Sequence, residues 1–79
     1  MQTIFVLVKA DLGQSYVVAD HAVEIEQVSE VFSISGQYDL LLKCYLENGI
    51  DIGHFVAETI QHLPGVKDTF TIITFKAFS

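Results

Sequence analysis

Apolar runs separated by short polar turns divide the chain into six segments of two kinds. Residues 3–9 are rich in β-branched and aromatic residues and are apolar at odd and even positions alike, which is typical of a strand covered on both faces. In residues 15–26 the apolar positions instead recur at helical spacing. The predicted apolar side of this helix consists of Val18, Ala19, Ala22, Val23 and Ile25. The first third of the chain therefore predicts a strand followed by an amphipathic helix.

The middle of the chain holds two further strand-like runs, residues 28–35 and 38–47. Only Gly36 and Gln37 separate them. A glycine at the first central position of a two-residue connection favours a type II′ turn. We therefore expect these two strands to pair as an antiparallel hairpin.

A second helix is predicted to begin after Asp51, a favourable N-cap residue, with Ile50 and Phe55 placed to form a hydrophobic staple. Its predicted buried stripe consists of Ile52, Phe55, Val56, Ile60 and Leu63. Pro64 and Gly65 end the helix, because proline lacks an N–H donor and glycine tolerates positive φ. Residues 68–78 form the last predicted strand.

The resulting order, βαββαβ, predicts an α+β fold of the ferredoxin-like type, with a four-stranded antiparallel sheet and two helices on one face. The expected strand order is 4-1-3-2, which brings the turns around residues 11, 39 and 65 to one rim. Both faces of the sheet carry large apolar residues, since Phe5 and Leu7 lie opposite Ile4, Val6 and Val8. An apolar face of that size usually marks an interface, so we expect dimerisation through the sheets.

Composition and charge restrict the possible partners. The 79 residues predict one domain, and 4 basic against 10 acidic residues give a net charge of −6. This charge disfavours direct binding to nucleic acid or anionic membranes. The sole cysteine, Cys44, allows no internal disulfide, and the apolar run at residues 4–8 is too short for a signal peptide or a membrane span. We expect a cytoplasmic protein without a cofactor.

The segment SGQYDLLLKCYLENGIDIGHFVAETIQHLPGVKDTFTIITF resembles the effector-binding (RAM) domain of the leucine-responsive regulatory protein/AsnC (Lrp/AsnC) family of transcription regulators. The most specific features are Gly36-x-Tyr38-Asp39 before a strand and the spacing of Leu63, Gly65, Val66, Thr69 and Thr71 after a helix. The resemblance covers essentially the whole chain. It implies a non-catalytic module that dimerises through its sheets, forms rings of dimers and binds amino acids between neighbouring dimers.

The resemblance also implies a set of ligand-binding residues: Ile34, Gly36, Tyr38, Asp39, Val66, Thr69 and Thr71. Asp39 would pair with the ammonium of an amino acid, and backbone N–H groups beside Gly36 would bind its carboxylate. The competing interpretation of Asp39 is a residue that only stabilises its turn. No helix-turn-helix domain precedes the first strand, so we expect ligand sensing and oligomer formation, including assembly with full-length regulators, and no promoter binding.

Other functions remain open as alternatives. An ACT-like regulatory domain shares this topology, and a small dimeric α/β-barrel enzyme also pairs such sheets. The enzyme needs a positioned acid or base, yet all three histidines fall outside the apolar stripes. An RNA-binding domain of this topology needs a basic sheet face, which four lysines do not provide.

Two further features have a plain structural interpretation. His54, Glu58 and His62 recur every four residues, a spacing that would suit zinc, but exposed helix faces carry such residues by default and we predict no metal site. Cys44 lies mid-strand among leucines, where packing is the better interpretation than reactivity.

Overall fold

The computed structural model describes all residues, 1–79, and shows seven elements. In chain order they are β1 (Gln2–Ala10), α1 (Ser15–Ala22), β2 (Val28–Ser33), β3 (Leu40–Leu46), α2 (Ile52–Phe55), a π-helical turn (Val56–Ile60) and β4 (Val66–Ile73). The strands form one antiparallel sheet in the order β2-β3-β1-β4. The ferredoxin-like fold and the predicted strand order are confirmed.

The core lies between the sheet and the helices and contains only apolar side chains. Alternate residues of the two central strands point into it, because successive side chains of a strand face opposite sides. Its fully buried members from β1 and β3 are Ile4, Val6, Val8, Leu40, Leu42, Cys44 and Leu46. Val18 and Ala22 of α1 and Ile60 of the π-helical turn cover them. No helix of the chain has the length and apolar character needed to cross a membrane.

The helix α1 ends at Ala22, four residues earlier than predicted. The N–H of Glu24 donates to the carbonyl of His21 at 3.2 Å, and the N–H of Ile25 donates to Ala22 at 3.1 Å, so the chain tightens into three-residue turns. Ile25 still packs against the core from this turn. Val23 is 58% exposed, so its predicted place in the buried stripe is wrong.

The second helix begins as predicted and then widens. The carboxylate of Asp51 accepts a hydrogen bond from the His54 N–H at 3.0 Å, which confirms the N-cap. From Val56 the helix changes to π geometry, and the N–H of Gln61 donates to the Val56 carbonyl, five residues back, at 2.9 Å. Phe55, Val56 and Ile60 are buried as predicted, and no feature of the sequence indicated the π-helical turn.

The connection between β2 and β3 is longer than the predicted two-residue turn. The last pair of the hairpin is Ser33 with Leu40, and the N–H of Ile34 donates to the Asp39 carbonyl at 2.9 Å. Residues 35–38 therefore form the tip, where Gly36 has φ of +110°. The predicted two-residue turn is wrong because the two chain segments separate beyond the bond between Ile34 and Asp39. The N–H of Asp39 donates to the Val8 carbonyl of β1 at 2.8 Å.

The last strand, β4, ends at Ile73, although the pattern predicts it to extend to residue 78. Ile73 pairs with Ile4, so only the first few residues of the chain remain for β4 to pair with. Thr74 makes a last contact, in which its hydroxyl donates to the Thr3 carbonyl at 2.6 Å. Beyond it Phe75 and Phe78 lie almost fully exposed, because the chain offers them no partner strand.

Candidate functional site

Three turns meet at one end of the sheet, as the topology predicts, and backbone hydrogen bonds join them. The N–H of Asp11, after β1, donates to the carbonyl of Gly65, before β4, at 2.7 Å. The N–H of Asp39, before β3, donates to Val8 at 2.8 Å. We call this end of the domain the rim. Because the ends of all four strands fix its backbone, the side chains of the rim are attached to a rigid backbone.

The side chain of Asp39 is partly buried at the rim and is already engaged. Its Oδ2 accepts a hydrogen bond from the N–H of Ala10 at 2.8 Å. The register of β1 against β4 shifts between Lys9 and Ala10, where Asp39 supplies the acceptor for this N–H. Asp39 therefore fastens the end of β1 to the start of β3, while its other oxygen, Oδ1, accepts no hydrogen bond from the chain.

Two clefts open beside Asp39. The cleft of about 420 Å³ is lined by Asp39 and by the loop after β1, including Asp11, Gly13 and Ser15. The neighbouring cleft of about 320 Å³ is lined by Gln37, Tyr38 and Asp68. Lys9 and Lys67 line both clefts, and neither lysine forms an ion pair within the chain. The rim thus offers a carboxylate oxygen and two ammonium groups to a bound molecule.

Tyr38 and Ile34 lie on the helix-free side of the sheet. Together with Leu7, Phe70 and Ile72 they line an apolar cleft at the edge of that face. The centroid of the Tyr38 ring is 6.2 Å from that of Phe70, with the rings tilted by 39°. Tyr38 therefore connects the rim to the apolar face, as expected of a pocket wall or an interface aromatic.

Thr69 and Thr71 lie on the helix side of β4, in a cleft that also contains Gly53, Val56 and Gln61. The Gln61 amide donates to the Thr69 hydroxyl at 2.8 Å, so the π-helical turn brings this amide to the strand.

The two polar groups of the predicted site stand on opposite sides of β1. Val8 pairs with Thr69 on one side and bonds to Asp39 on the other, which places Asp39 and Thr69 two strand spacings, or about 10 Å, apart. Of the remaining predicted residues, Gly36 is exposed at the turn tip, and half-buried Val66 pairs with Ala10. The structure divides the predicted site among separate clefts of one chain.

The helix-free face of the sheet is apolar over most of its area. Its central residues Phe5, Leu7 and Leu41 are half-buried, and around them Phe32, Phe70 and Ile72 are exposed. We call these six residues the open face.

One corner of the helix-free side carries charge instead. The Lys43 Nζ lies 3.6 Å from a Glu30 carboxylate oxygen and 5.3 Å from the centroid of the Tyr45 ring. The pKa of Lys43 is raised, first by its side-chain hydrogen bond and charge interaction with Tyr45 and then by Glu30. Lys43 therefore remains a cation beside the apolar residues of the open face.

The histidines of the second helical segment form no metal centre. The Nδ1 of His62 lies 3.7 Å from the Glu58 carboxylate, and both side chains are exposed. His54 contributes its backbone N–H to the Asp51 cap. Across residues 1–79, no three His, Cys, Asp or Glu side chains come together in a way that would hold a metal ion.

Comparison with known protein families identifies the family to which this domain belongs. A family model described as the Lrp/AsnC ligand binding domain matches residues 3–79. The chain belongs to the Lrp/AsnC family. The Lrp/AsnC relatives include the HTH-type transcriptional regulator FL11 of Pyrococcus abyssi, which is 33% identical over 72 residues, 91% of this chain and 47% of the relative. The chain spans about half the length of the curated Lrp/AsnC relatives it matches.

Solved structures agree with this assignment. The crystal structure of TTHA0845 from Thermus thermophilus is 32% identical, with a TM-score of 0.91 over 100% of this chain and 99% of that one. The transcriptional regulator NMB0573 from Neisseria meningitidis, in complex with L-Met, superimposes with a TM-score of 0.85. That match covers 99% of this chain and 52% of NMB0573 at 21% identity, so it shows a shared fold alone.

Lys9, Lys67 and the Ala10 N–H are features of this Lrp/AsnC domain that sequence reasoning missed. Lys9 lies near the end of the first predicted strand, and Lys67 lies in the turn before the last one. The predicted topology alone places both at the rim, so their sequence positions were a sufficient signal for the lysines. The Ala10 hydrogen bond had no such signal, because it depends on a local register shift.

Proposed function

We propose that this chain is a non-catalytic sensor that binds an amino acid and converts binding into a change of assembly linked to transcription regulation. The observation that carries the proposal is that the family's ligand-binding module fills the chain from residue 3 onward. The relatives are transcriptional regulators, which supports a regulatory role and a cytoplasmic location. The acidic charge of −6 argues against direct contact with DNA by this domain.

The chemistry of the rim supports an amino acid as the ligand class. Every amino acid carries an ammonium and a carboxylate, and a site for both needs an acceptor and donors close together. Asp39 offers Oδ1 as the acceptor, and the backbone around Gly36 offers N–H donors. The L-Met complex of NMB0573, which shares the fold, is consistent with this ligand class.

The positions of the predicted residues support a site completed by a second chain. Asp39 and Thr69 lie about 10 Å apart with β1 between them, so one small ligand does not reach both within a single chain. We propose that dimers form through the open face and that the ligand binds where neighbouring dimers meet in a ring. The same open face would allow joint assembly with full-length Lrp/AsnC regulators.

A thermal-shift screen against the twenty amino acids tests the proposal. A ligand present at 100 times its Kd stabilises the folded state by about 2.7 kcal/mol, which raises the Tm of so small a domain by roughly 10 to 20 °C. The matched control for each hit is its decarboxylated amine, which keeps the side chain and the amino group. We expect at least one amino acid to raise the Tm and its amine to have no effect. A screen in which no amino acid raises the Tm contradicts the proposal.

A further inference from the structure

Lys9 and Lys67 are two cations at the rim that form no ion pair within the chain. The chain has only four basic residues, all lysines, against ten acidic ones. Lys43 is paired with Glu30, and Lys76 lies in the C-terminal tail against the Phe78 ring. The remaining two lysines line the same two clefts and have no carboxylate within 4 Å. In an acidic chain this is the one place where positive groups gather.

Three acidic residues, Asp11, Asp39 and Asp68, line the same two clefts, and two of them use one carboxylate oxygen to bind a backbone N–H. Oδ2 of Asp39 accepts from Ala10, and Oδ1 of Asp68 accepts from the Thr69 N–H at 2.8 Å. None of the three carboxylates comes within 4 Å of either lysine Nζ. Two ammonium groups around one cleft repel each other, and an anion bound between them removes that repulsion. The cleft of about 320 Å³ is lined by Lys9, Lys67, Tyr38 and Asp68, so its two ammonium groups outnumber its one carboxylate and suit a small anionic group.

The proposed function assigns the ligand's ammonium to Asp39 and its α-carboxylate to the turn N–H groups, and the present inference rests on it. The two lysines then remain for the rest of the ligand, and they line both the cleft that contains Asp39 and the cleft that contains Tyr38. We infer that Lys9 and Lys67 bind a second carboxylate, on the ligand side chain. The effector of this domain is accordingly a dicarboxylic amino acid of the aspartate and glutamate class.

Calorimetric titration with L-glutamate against L-glutamine, and with L-aspartate against L-asparagine, tests this assignment. The members of each pair have nearly the same shape and differ in one negative charge. We expect the better of the two acids to bind at least tenfold more tightly than its amide, and the ratio to fall as salt is raised. Amides that bind as tightly as the acids overturn the inference and leave the proposed function standing. Binding of no amino acid at all overturns both.

Lysine variants test which residues bind the second carboxylate. Lys9→Gln and Lys67→Gln should each weaken binding of the preferred acid by about tenfold while leaving the weaker binding of its amide unchanged. Lys76→Gln makes the same change of net charge in the C-terminal tail and should leave both affinities unchanged. Equal losses of affinity in all three variants would show that only the overall charge matters, and would overturn the assignment. The assignment would also be overturned if Lys9→Gln and Lys67→Gln bound the acid as tightly as the wild type. Circular dichroism of each variant establishes that it is folded.

Discussion

Asp39 combines a structural contact and a candidate ligand contact in one carboxylate. Oδ2 holds the Ala10 N–H, and Oδ1 faces no donor of the chain. The two interpretations drawn from the sequence, a turn residue and a ligand residue, therefore do not exclude each other. The structural role uses Oδ2 and the proposed ligand role uses Oδ1. Substitutions that affect only one of the two roles can therefore distinguish them.

Replacing Asp39 by Ala should lower both stability and affinity. It leaves the Ala10 N–H without its acceptor, which should reduce the free energy of unfolding by about 1 to 3 kcal/mol. It also removes the charge that we propose pairs with the ligand ammonium, which should weaken binding by roughly ten- to a hundredfold. Urea denaturation measures the first effect, and calorimetric titration with the amino acid found by the screen measures the second.

Asp39→Asn is the matched control, because its amide oxygen can still accept from Ala10 while the charge is gone. We expect this variant to keep most of the stability and to lose affinity about as much as the alanine variant. An asparagine variant that binds as tightly as the wild type would confine Asp39 to its structural contact.

Cys44 should be inert until the pH becomes strongly alkaline. Burial raises the pKa of its thiol to about 11 from 9.0, because the core solvates a thiolate poorly. The unfolded chain begins to release this proton near pH 9, so the contribution of the protonated thiol is complete below pH 9 and is lost between about pH 9 and 11. Urea denaturation across this window should show falling stability.

Cys44→Ala is the control for the other groups that titrate at alkaline pH, since it removes the thiol and keeps every lysine and tyrosine. Its stability should depend less steeply on pH between 9 and 11 than that of the wild type. Identical slopes, or rapid labelling of native Cys44 by a thiol reagent at pH 8, would contradict the assigned pKa.

At the scale of elements, the local hydrophobic pattern was sufficient to predict each element that has one buried side. The continuous apolar run of β1 and the apolar spacing around Val18 and Phe55 predicted the elements, and their order predicted the strand order correctly. The ends were missed where distant residues decide them. β4 stops at Ile73, which pairs with Ile4 close to the start of β1, and the connection before β3 is longer than predicted where the Asp39 N–H bonds to Val8 of β1. A reading of local pattern does not contain such contacts between distant strands.

Gly65 shows how the elements around the rim are held in place. Its φ is +91°, and a Cβ there would lie 3.0 Å from Val18 Cγ2 and 3.1 Å from Gln14 Cβ. The turn before β4 thus fits directly against the start of α1. Gly65→Ala should lower the free energy of unfolding by roughly 1 to 2 kcal/mol for the left-handed backbone and by about 1 to 3 kcal/mol more for the contact. Urea denaturation measures the loss.

Gly49→Ala separates the two contributions. Gly49 has the same φ of +91° but has nothing within 4 Å of its Cβ position. We expect this variant to show the backbone cost alone and therefore to remain the more stable of the two. Equal losses in both variants would show that the contact with α1 adds nothing.

At the scale of the whole molecule, the topology predicted that the candidate site residues lie near one end of the domain, but it did not predict how they are grouped. Asp39, Tyr38 and Thr69 all lie at or near the rim, yet they line different clefts because β1 runs between the polar groups and Tyr38 turns to the open face. Which clefts come together depends on how chains assemble. Assembly depends on how the surfaces of two chains fit together, whereas the hydrophobic pattern along the sequence describes a single chain.

The assembly itself gives the decisive test at this scale. The open face presents Phe32, Phe70 and Ile72 to solvent in a single chain of 8.8 kDa, and that apolar area is best buried against a second copy. Light scattering on a size-exclusion column should therefore give a mass of at least twice that of the chain. Leu7→Lys places a charge in the middle of the open face, and it should shift the protein to monomers while circular dichroism stays unchanged.

Leu12→Lys is the matched control, since Leu12 is fully exposed in the loop after β1 and the substitution makes the same chemical change. Dimers should persist in this variant, because the loop lies away from the open face. A wild-type protein that elutes as a stable monomer would refute pairing through the sheets, and with it the site between dimers. If Leu7→Lys stays dimeric and folded, the open face is not the dimer contact, and the surface that pairs must then lie on the helices or on an edge strand.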